Sequence, residues 1–225
     1  AALGDMPIPR DDVFLLTKLR PKDHGGYDTV HRACRDSLQR LGCSYVDLYL
    51  VQSPRGGHLV DTWRSMLQMR DLGLSRSVGV ANFGVQHLQG LLDLGLELPA
   101  VNQVELHVWH QQQELAVFCR RHGIVLMAYS VLGRGRLFAR TPLRAVAAAC
   151  GCSEAELCIA WCLQQGHSCV PLSLDPGHMA ANFLAAGRAH DRSGAGAMGE
   201  EALRRIAALD GSRRACEAAS SAQDL

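Results

Sequence analysis

The sequence predicts an α/β fold of parallel β/α units, and three observations predict it. Short apolar stretches rich in β-branched residues recur along the chain. Each is followed by a segment with apolar residues at i, i+3, i+4 spacing, and the repeat distance is roughly 25–45 residues. The stretches fall at 12–17 (DVFLLT), 46–51 (VDLYLV), 77–81 (SVGVA), 100–105 (AVNQVE), 124–129 (IVLMAY) and 168–172 (SCVPL). Near-continuous apolar runs of this length are what strands covered on both faces require. The first helical pattern spans 27–41, where Val30, Ala33, Cys34, Leu38 and Leu41 share a face. Others span 60–72, 85–94, 111–121 and 153–165. Gly42, Gly123 and Gly166 each stand where a helix would end on a left-handed residue, and Ser153 with Glu156 forms a capping box. Six units result. A closed (β/α)8 barrel needs eight and typically ~250 residues, so periodicity leaves two architectures, an open doubly wound sheet or a barrel short of two units.

The chain has 225 residues, 48% hydrophobic and 20% charged, the balance of a globular domain long enough to bury a sizeable core. One domain is expected over 1–190, with a C-terminal helix and tail over 191–225. Lys plus Arg total 23 and Asp plus Glu 22, a formal net charge of +1, so nothing calls for nucleic acid as a partner. No apolar run approaches the ~18 residues of a spanning helix, and no basic-then-apolar leader opens the chain. The first residue is Ala1 in place of Met, as expected of a processed chain or part of a longer one. The cytoplasm is the default location, with an organelle after leader removal as the alternative. Five of nine cysteines (Cys150, Cys152, Cys158, Cys162, Cys169) crowd into twenty residues, without the paired C-x2-C of zinc sites. They read as small residues of an Ala-rich helix in a reducing compartment, so no metal site is expected. Cys158 and Cys162 share a helix face, and with His167 nearby they form the one alternative as ligands.

In β/α folds chemistry gathers just beyond the carboxyl ends of the strands. Those positions carry Lys18, then Gln52-Ser53-Pro54, then Asn82-Phe83-Gly84. The fourth strand contributes Asn102-Gln103-Val104-Glu105, the fifth Tyr129-Ser130 with Leu132-Gly133-Arg134-Gly135, and the sixth Pro171-Leu172-Ser173. An ammonium in an apolar stretch is expensive without a partner, so Lys18 is either functional or snorkelling to solvent. Two amides at one strand end suit an amide-like ligand group that needs donors and acceptors, or else plug a barrel mouth. Tyr129 could stack on a flat ring or cap the core. The G-R-G loop could hold phosphate through backbone N–H groups, although a lone G-x-G is a weak signal.

The blocks IPRDDVFLLTKL, DSLQRLGCSYVDLYLVQSP, SVGVANF, VNQVELHVWHQQQELAVFCRRHGIVLMAYSVLGRG and CVPLSLDPGHMAANF, in that order, resemble the aldo-keto reductase family. These are NADPH-dependent carbonyl reductases on a TIM barrel. The resemblance runs from about Ile8 to about Phe183 and implies an incomplete (β/α)8 TIM barrel, six units resembling the family's third to eighth. By the same resemblance Lys18 is the active-site lysine, a remnant here because the family's tyrosine and aspartate lie in a unit without a counterpart. Asn82 and Gln103 would hold the nicotinamide carboxamide and Tyr129 would stack on the ring. Ser130, Leu132 and Gly133 lie in the loop that follows the pyrophosphate, and Ser173 and Asn182 match contacts at the adenosine end.

Several positions depart from the family. The family's histidine is Gln52, whose amide donates a hydrogen bond but cannot titrate near neutrality. Ala81 stands where a serine would precede Asn82. Leu172 and His178 replace the lysine and arginine that clamp the 2′-phosphate of NADP(H). Charge-assisted hydrogen bonds are worth roughly 1.5–3 kcal/mol each, so losing two should weaken NADPH by ~10²–10⁴-fold. The departures point to a catalytically inactive structural or regulatory subunit, its open barrel edges covered by other protein subunits. The alternative is an active NADPH-dependent reductase whose proton donor lies in an N-terminal segment or a partner chain.

Overall fold

The computed structural model describes residues 8–138, 142–190, 198–211 and 214–216. Six parallel strands lie in the order β1 to β6, namely Leu16–Leu19, Val46–Val51, Ser75–Ala81, Val101–Glu105, Val125–Tyr129 and Ser168–Cys169. Between and after them run α1 (Tyr27–Leu41), α2 (Leu59–Asp71), α3 (Val85–Asp93), α4 (Gln113–Arg121), α5 (Leu143–Ala149), α6 (Glu154–Gln164), α7 (Pro176–His190) and α8 (Glu200–Ala207). This is the partial β/α barrel arrangement that the family blocks imply. By internal contacts the chain forms two compact units, the first holding 1–103 with 119–124, the second 104–118 and most of the chain from 125. The C-terminal portion that the sequence assigns to a helix and tail is described at α8 and at 214–216, and the rest lies outside the described residues.

In the first unit β2 is buried over all six residues. Its register runs Leu16 to Leu48 and Lys18 to Leu50 on one side, and Leu48 to Ser77 and Leu50 to Gly79 on the other. Met66, Met69, Trp63, Leu88 and Leu91 of the helices are buried with it. Trp63 also keeps its indole N–H satisfied by donating to the Glu97 carbonyl at 2.7 Å. Asp47 is a carboxylate inside this apolar strand, 5% exposed. It accepts from Arg10 at 2.7 Å and from the Leu15 amide at 2.8 Å, with Arg76 at 3.3 Å. Burial opposes ionisation, but the Leu15 amide and Arg10 win, and the pKa of Asp47 lies below the usual carboxylate range. The first strand differs from the sequence expectation. It runs Leu16–Leu19, beginning and ending later than the apolar stretch 12–17, so Lys18 lies within it. The Leu15 amide is taken by Asp47, while the Leu15 carbonyl accepts from the Asp47 and Leu48 amides.

In the second unit Leu126, Ala128, Leu143, Val146 and Trp161 are buried. Along α6 the six residues Leu157, Cys158, Ile159, Ala160, Trp161 and Cys162 are consecutively buried, so this helix is covered almost all round and has no single apolar stripe. The predicted capping box is present, with the Ser153 and Glu156 side chains exchanging hydrogen bonds with each other's amides at 3.2 and 2.9 Å. The sixth strand is shorter than its apolar run. Val170 still donates to Ala128, but Pro171 has no N–H to continue the ladder. Helix α5 was not anticipated, because LRAVAAA is too short and too uniformly small to show a period. Among the described residues no single helix is long and apolar enough to cross a membrane, and no group of three or more His, Cys, Asp or Glu side chains is placed to hold a metal.

The tightest backbone approach is at Gly79, in β3 between β2 and β4. A Cβ there would lie 2.5 Å from the Val101 carbonyl oxygen and 2.8 Å from Leu50 Cδ2. Gly79→Ala is expected to cost about 1–3 kcal/mol of stability, the usual penalty of overpacking a filled core. The urea midpoint should fall with an unchanged slope.

Candidate active site at the strand carboxyl ends

The first unit holds four of the sequence-predicted residues at its strand ends. Lys18 is half-buried next to the end of β1, and loss of hydration pushes its pKa below the ordinary lysine value. Gln52 follows β2 directly; its amide N–H donates to Leu19 at 3.0 Å and its side chain is exposed. Asn82 follows β3 with φ of 64°, a left-handed conformation that asparagine tolerates better than most residues. Its N–H donates to the Gln103 carbonyl at 2.9 Å and its Nδ2 donates to the Gln52 carbonyl at 2.9 Å. One asparagine therefore ties together the ends of β2, β3 and β4. Gln103 is buried at the end of this group, while its neighbour Asn102 does different work. Asn102 Nδ2 donates to the Phe83 carbonyl at 2.8 Å and its Oδ1 accepts from the Phe83 amide at 3.4 Å, clamping the turn after β3. Successive strand residues face opposite sides, so the two amides never share a ligand surface.

Sequence reasoning passed over His24, which is 8% exposed in the loop after β1. It packs on the loop after β2 so closely that a Cβ at Gly56 would fall 2.1 Å from its Nδ1. Burial pushes its pKa down against a raising contact from the Gly57 backbone, so the ring is neutral at pH 7. Three tyrosines belong to this unit, Tyr27, Tyr45 and Tyr49. Tyr45 donates to Asp11 at 2.7 Å, away from the strand carboxyl ends, and Tyr49 is fully buried beside Cys34 of α1. Tyr27 opens α1 and stacks on His31 with ring centroids 5.3 Å apart.

In the second unit Tyr129 ends β5, and burial pushes its pKa up to about 12, with the Glu105 carboxylate adding to the shift. Ser130 follows with φ of 53°, and its carbonyl accepts from the Gly133 amide at 2.7 Å. Gly133, Arg134 and Gly135 then take three consecutive left-handed conformations. At Gly133 a side chain is also excluded sterically, since a Cβ would meet the Trp109 ring at 2.9 Å. Leu132 is half-buried in this loop. Glu105, at the end of β4, is 2% exposed. Its Oε1 accepts from the Ala215 amide, from the Cys216 amide at 3.1 Å and contacts His107 Nε2 at 3.2 Å. Cys216 Sγ in turn lies 3.3 Å from Ser130 Oγ. Segment 214–216 is thus fastened across the ends of β4 and β5, a contact between residues 110 apart that carries no local sequence signal.

Ser173 and Asn182 lie together on a groove of about 410 Å³, with Leu163, Pro171, Leu172 and Met179 among its walls. Among the described residues no lysine or arginine lines it. Leu172 is 86% exposed at its edge. Asp175, just before α7, accepts from the His178 amide at 2.7 Å, which places a carboxylate over the first N–H groups of that helix.

This is a β/α fold with its polar groups gathered at strand carboxyl ends, the organisation of a barrel enzyme. The aldo/keto reductase family profile matches residues 1–191, and the chain belongs to that family. It is 41% identical over 184 residues to an aldo-keto reductase of Mycolicibacterium vanbaalenii, covering 81% of this chain and 66% of the relative. It is 40% identical to one from Mycobacterium leprae, covering 81% and 65%. The chain therefore spans just under two thirds of the length of these curated relatives. Among solved structures it superposes on an aldo/keto reductase from Brucella melitensis with a TM-score of 0.81 at 32% identity, covering 91% of this chain and 76% of the other. A Bombyx mori aldo-keto reductase solved in complex with NADP gives 0.81 at 28% identity, covering 94% and 72%.

Glu105 yields a test of the second unit. Burial opposes its ionisation, but His107 and the Ala215 and Cys216 amides outweigh it, so its folded pKa lies below the usual glutamate value. A depressed folded pKa means that its stabilising contribution is present above the unfolded value of about 4.3 and is lost as pH falls through the folded one. Protection against hydrogen exchange at Ala215 and Cys216, taken relative to the intrinsic amide rate at each pH, should be high at neutral pH and fall on acidification below that window. Glu105→Gln should lower it at pH 7 by about tenfold or more, since hydrogen bonds to charge are worth about 1.5–3 kcal/mol.

Proposed function

We propose that this chain is a nicotinamide-dinucleotide-binding member of its family that does not itself protonate a carbonyl, and that it serves as a structural or regulatory subunit. The observation that carries this reading is Gln52, exposed directly after β2 at the family's histidine position. Hydride delivery to a carbonyl leaves an alkoxide that must take up a proton as it forms. The amide of Gln52 can donate a hydrogen bond but holds no transferable proton near neutrality. Two further candidates do not replace it, because His24 is buried and neutral and burial raises Tyr129 away from pH 7.

The residues present fit one end of NADP(H) better than the other. The cofactor, when bound, supplies the hydride. In the first unit Asn82 and Gln103 offer amides of the kind that would hold its carboxamide, and in the second Tyr129 offers a ring of the kind that stacks on a nicotinamide. The groove at Ser173 and Asn182 suits an adenosine, being apolar with two polar groups. It does not suit a 2′-phosphate. Among the described residues no lysine or arginine lines it, Leu172 stands at its edge, and the Asp175 carboxylate takes the His178 amide that an anion would seek. Subunit status is supported by the exposed apolar residues at the outer strands: Phe14 (68%) before β1, and Leu174 (93%) and Phe183 (81%) after β6.

The native protein is expected to run in a sizing experiment as a complex far heavier than a 24.4 kDa monomer, and a monodisperse monomer would refute the subunit role. Nicotinamide fluorescence should show NADPH binding no tighter than NADH. Leu172→Lys with His178→Arg should restore a preference for NADPH of about 10²-fold, the lower end for two charge-assisted bonds at exposed positions. No NADPH should be consumed with an aromatic aldehyde. A second reading, an active reductase completed by another segment or chain, draws on the half-buried Lys18 with its lowered pKa. Saturable turnover abolished by Lys18→Met would establish that reading in place of the first.

A further inference from the structure

Of the 23 basic residues in this chain only Lys18 and Lys22 are lysines; the rest are arginines. A guanidinium keeps its charge in proteins and cannot attack a carbon, whereas an ammonium can lose a proton and become a nucleophile. Lys22 is exposed in the loop after β1. Lys18 is half-buried, and among the described residues its ammonium has no hydrogen bond and no ion pair within 4.0 Å. It forms part of the wall of a cavity of about 120 Å³ beside β1 and α1. Arg20, Arg32 and Arg40 line the same cavity, against the carboxylates of Asp23 and Asp36. Arg20 Nε donates to Asp23 at 2.9 Å, so that pair neutralises itself. Arg32 and Arg40 form no ion pair among the described residues, and the wall keeps an excess of positive charge. A water takes about 30 Å³ in the liquid, so the space holds about four waters or one molecule of about five heavy atoms. Sites for larger ligands run to roughly 300–1,000 Å³, and a nucleotide does not fit.

We infer that Lys18 is the nucleophile of an imine-forming site for small oxo acids, compounds that carry a carbonyl beside a carboxylate. Arg32 and Arg40 hold the carboxylate, which directs the carbonyl carbon to Lys18. The ammonium first gives a proton to water. The neutral Nζ then attacks the carbonyl carbon, the C=O electron pair moves onto oxygen, and a proton passes from nitrogen to that oxygen to give a carbinolamine. The nitrogen lone pair expels the hydroxyl, which takes up a proton and leaves as water. An iminium now stands in place of the ammonium. One water is released, no proton is gained or lost overall, and nothing is oxidised or reduced. Burial assists the first step, because loss of hydration lowers the pKa of Lys18 and raises the share of free amine. The ligand must be small because the cavity is small, and anionic because its unpaired charges are guanidinium groups.

The test treats the 225-residue chain, free of nucleotide, with glyoxylate and cyanoborohydride at neutral pH. Peptide mapping then reads the carboxymethyl groups on Lys18 and Lys22, the exposed lysine serving as the reference within the same molecule. Labelling of Lys18 should saturate with glyoxylate and, at low concentration, run about tenfold faster than at Lys22, the lower end for a charge-assisted hydrogen bond. Acetaldehyde has no carboxylate. Scaled to its own rate at Lys22, it should label Lys18 about tenfold more slowly than glyoxylate does. Glycolate, which has the carboxylate but no carbonyl, should slow glyoxylate at Lys18 and leave Lys22 unchanged, a measurement that needs no variant. Arg40→Gln should lower the Lys18 rate about tenfold, while Arg64→Gln, on α2, should change neither lysine. Equal rates at the two lysines, a Lys18 rate that rises without saturating, or acetaldehyde matching glyoxylate would each overturn the inference. Because no nucleotide is present, the outcome is independent of whether the chain binds NADPH.

Discussion

A strand in a parallel sheet sends side chains to both faces, and both faces must be covered. That constraint is tightest at β2, where all six residues are buried, and the first unit is arranged around it. It explains why VDLYLV is apolar at every position but one. It also explains why the exception, Asp47, requires the Leu15 amide and the guanidinium of Arg10 before a charge can remain there. The clasp takes the Leu15 amide at the entry to β1, the strand that carries Lys18. It leaves Gly79 as the residue type that lets β3 pass between Leu50 and the Val101 carbonyl. The end of β2 then fixes Gln52, whose carbonyl anchors Asn82.

The positions that the family resemblance marks differ in how tightly they are held. Asn82 is bonded into the ends of its neighbouring strands, and Gly133 lies against Trp109. Gln52, Leu172 and His178 project from exposed positions where substitution disturbs little packing.

Much of the architecture was legible in the sequence because parallel strands announce themselves as continuous apolar runs, and because glycines at 42, 123 and 166 mark helix ends. Periodicity alone could not choose between an open sheet and a partial barrel; the ordered family blocks did. What escaped is physically of another kind. The burial of His24 against Gly56 and the fastening of 214–216 to Glu105 depend on groups meeting across turns or across long separations. The pair Asn102-Gln103 shows the opposite error. Adjacent in sequence and alike in chemistry, the two amides were read as one surface, but strand alternation turned one of them into a clamp for Phe83.

The apolar residues beyond β6 have a consequence for how this protein behaves in a tube. Leu172, Leu174, Phe183 and Leu184 are each at least 68% exposed, on a chain whose formal net charge is +1. Near neutral pH little long-range repulsion keeps two molecules apart, and excluded salts strengthen the attraction between such patches. This edge therefore lowers its solubility, and sulfate is expected to bring it out of solution before chloride does.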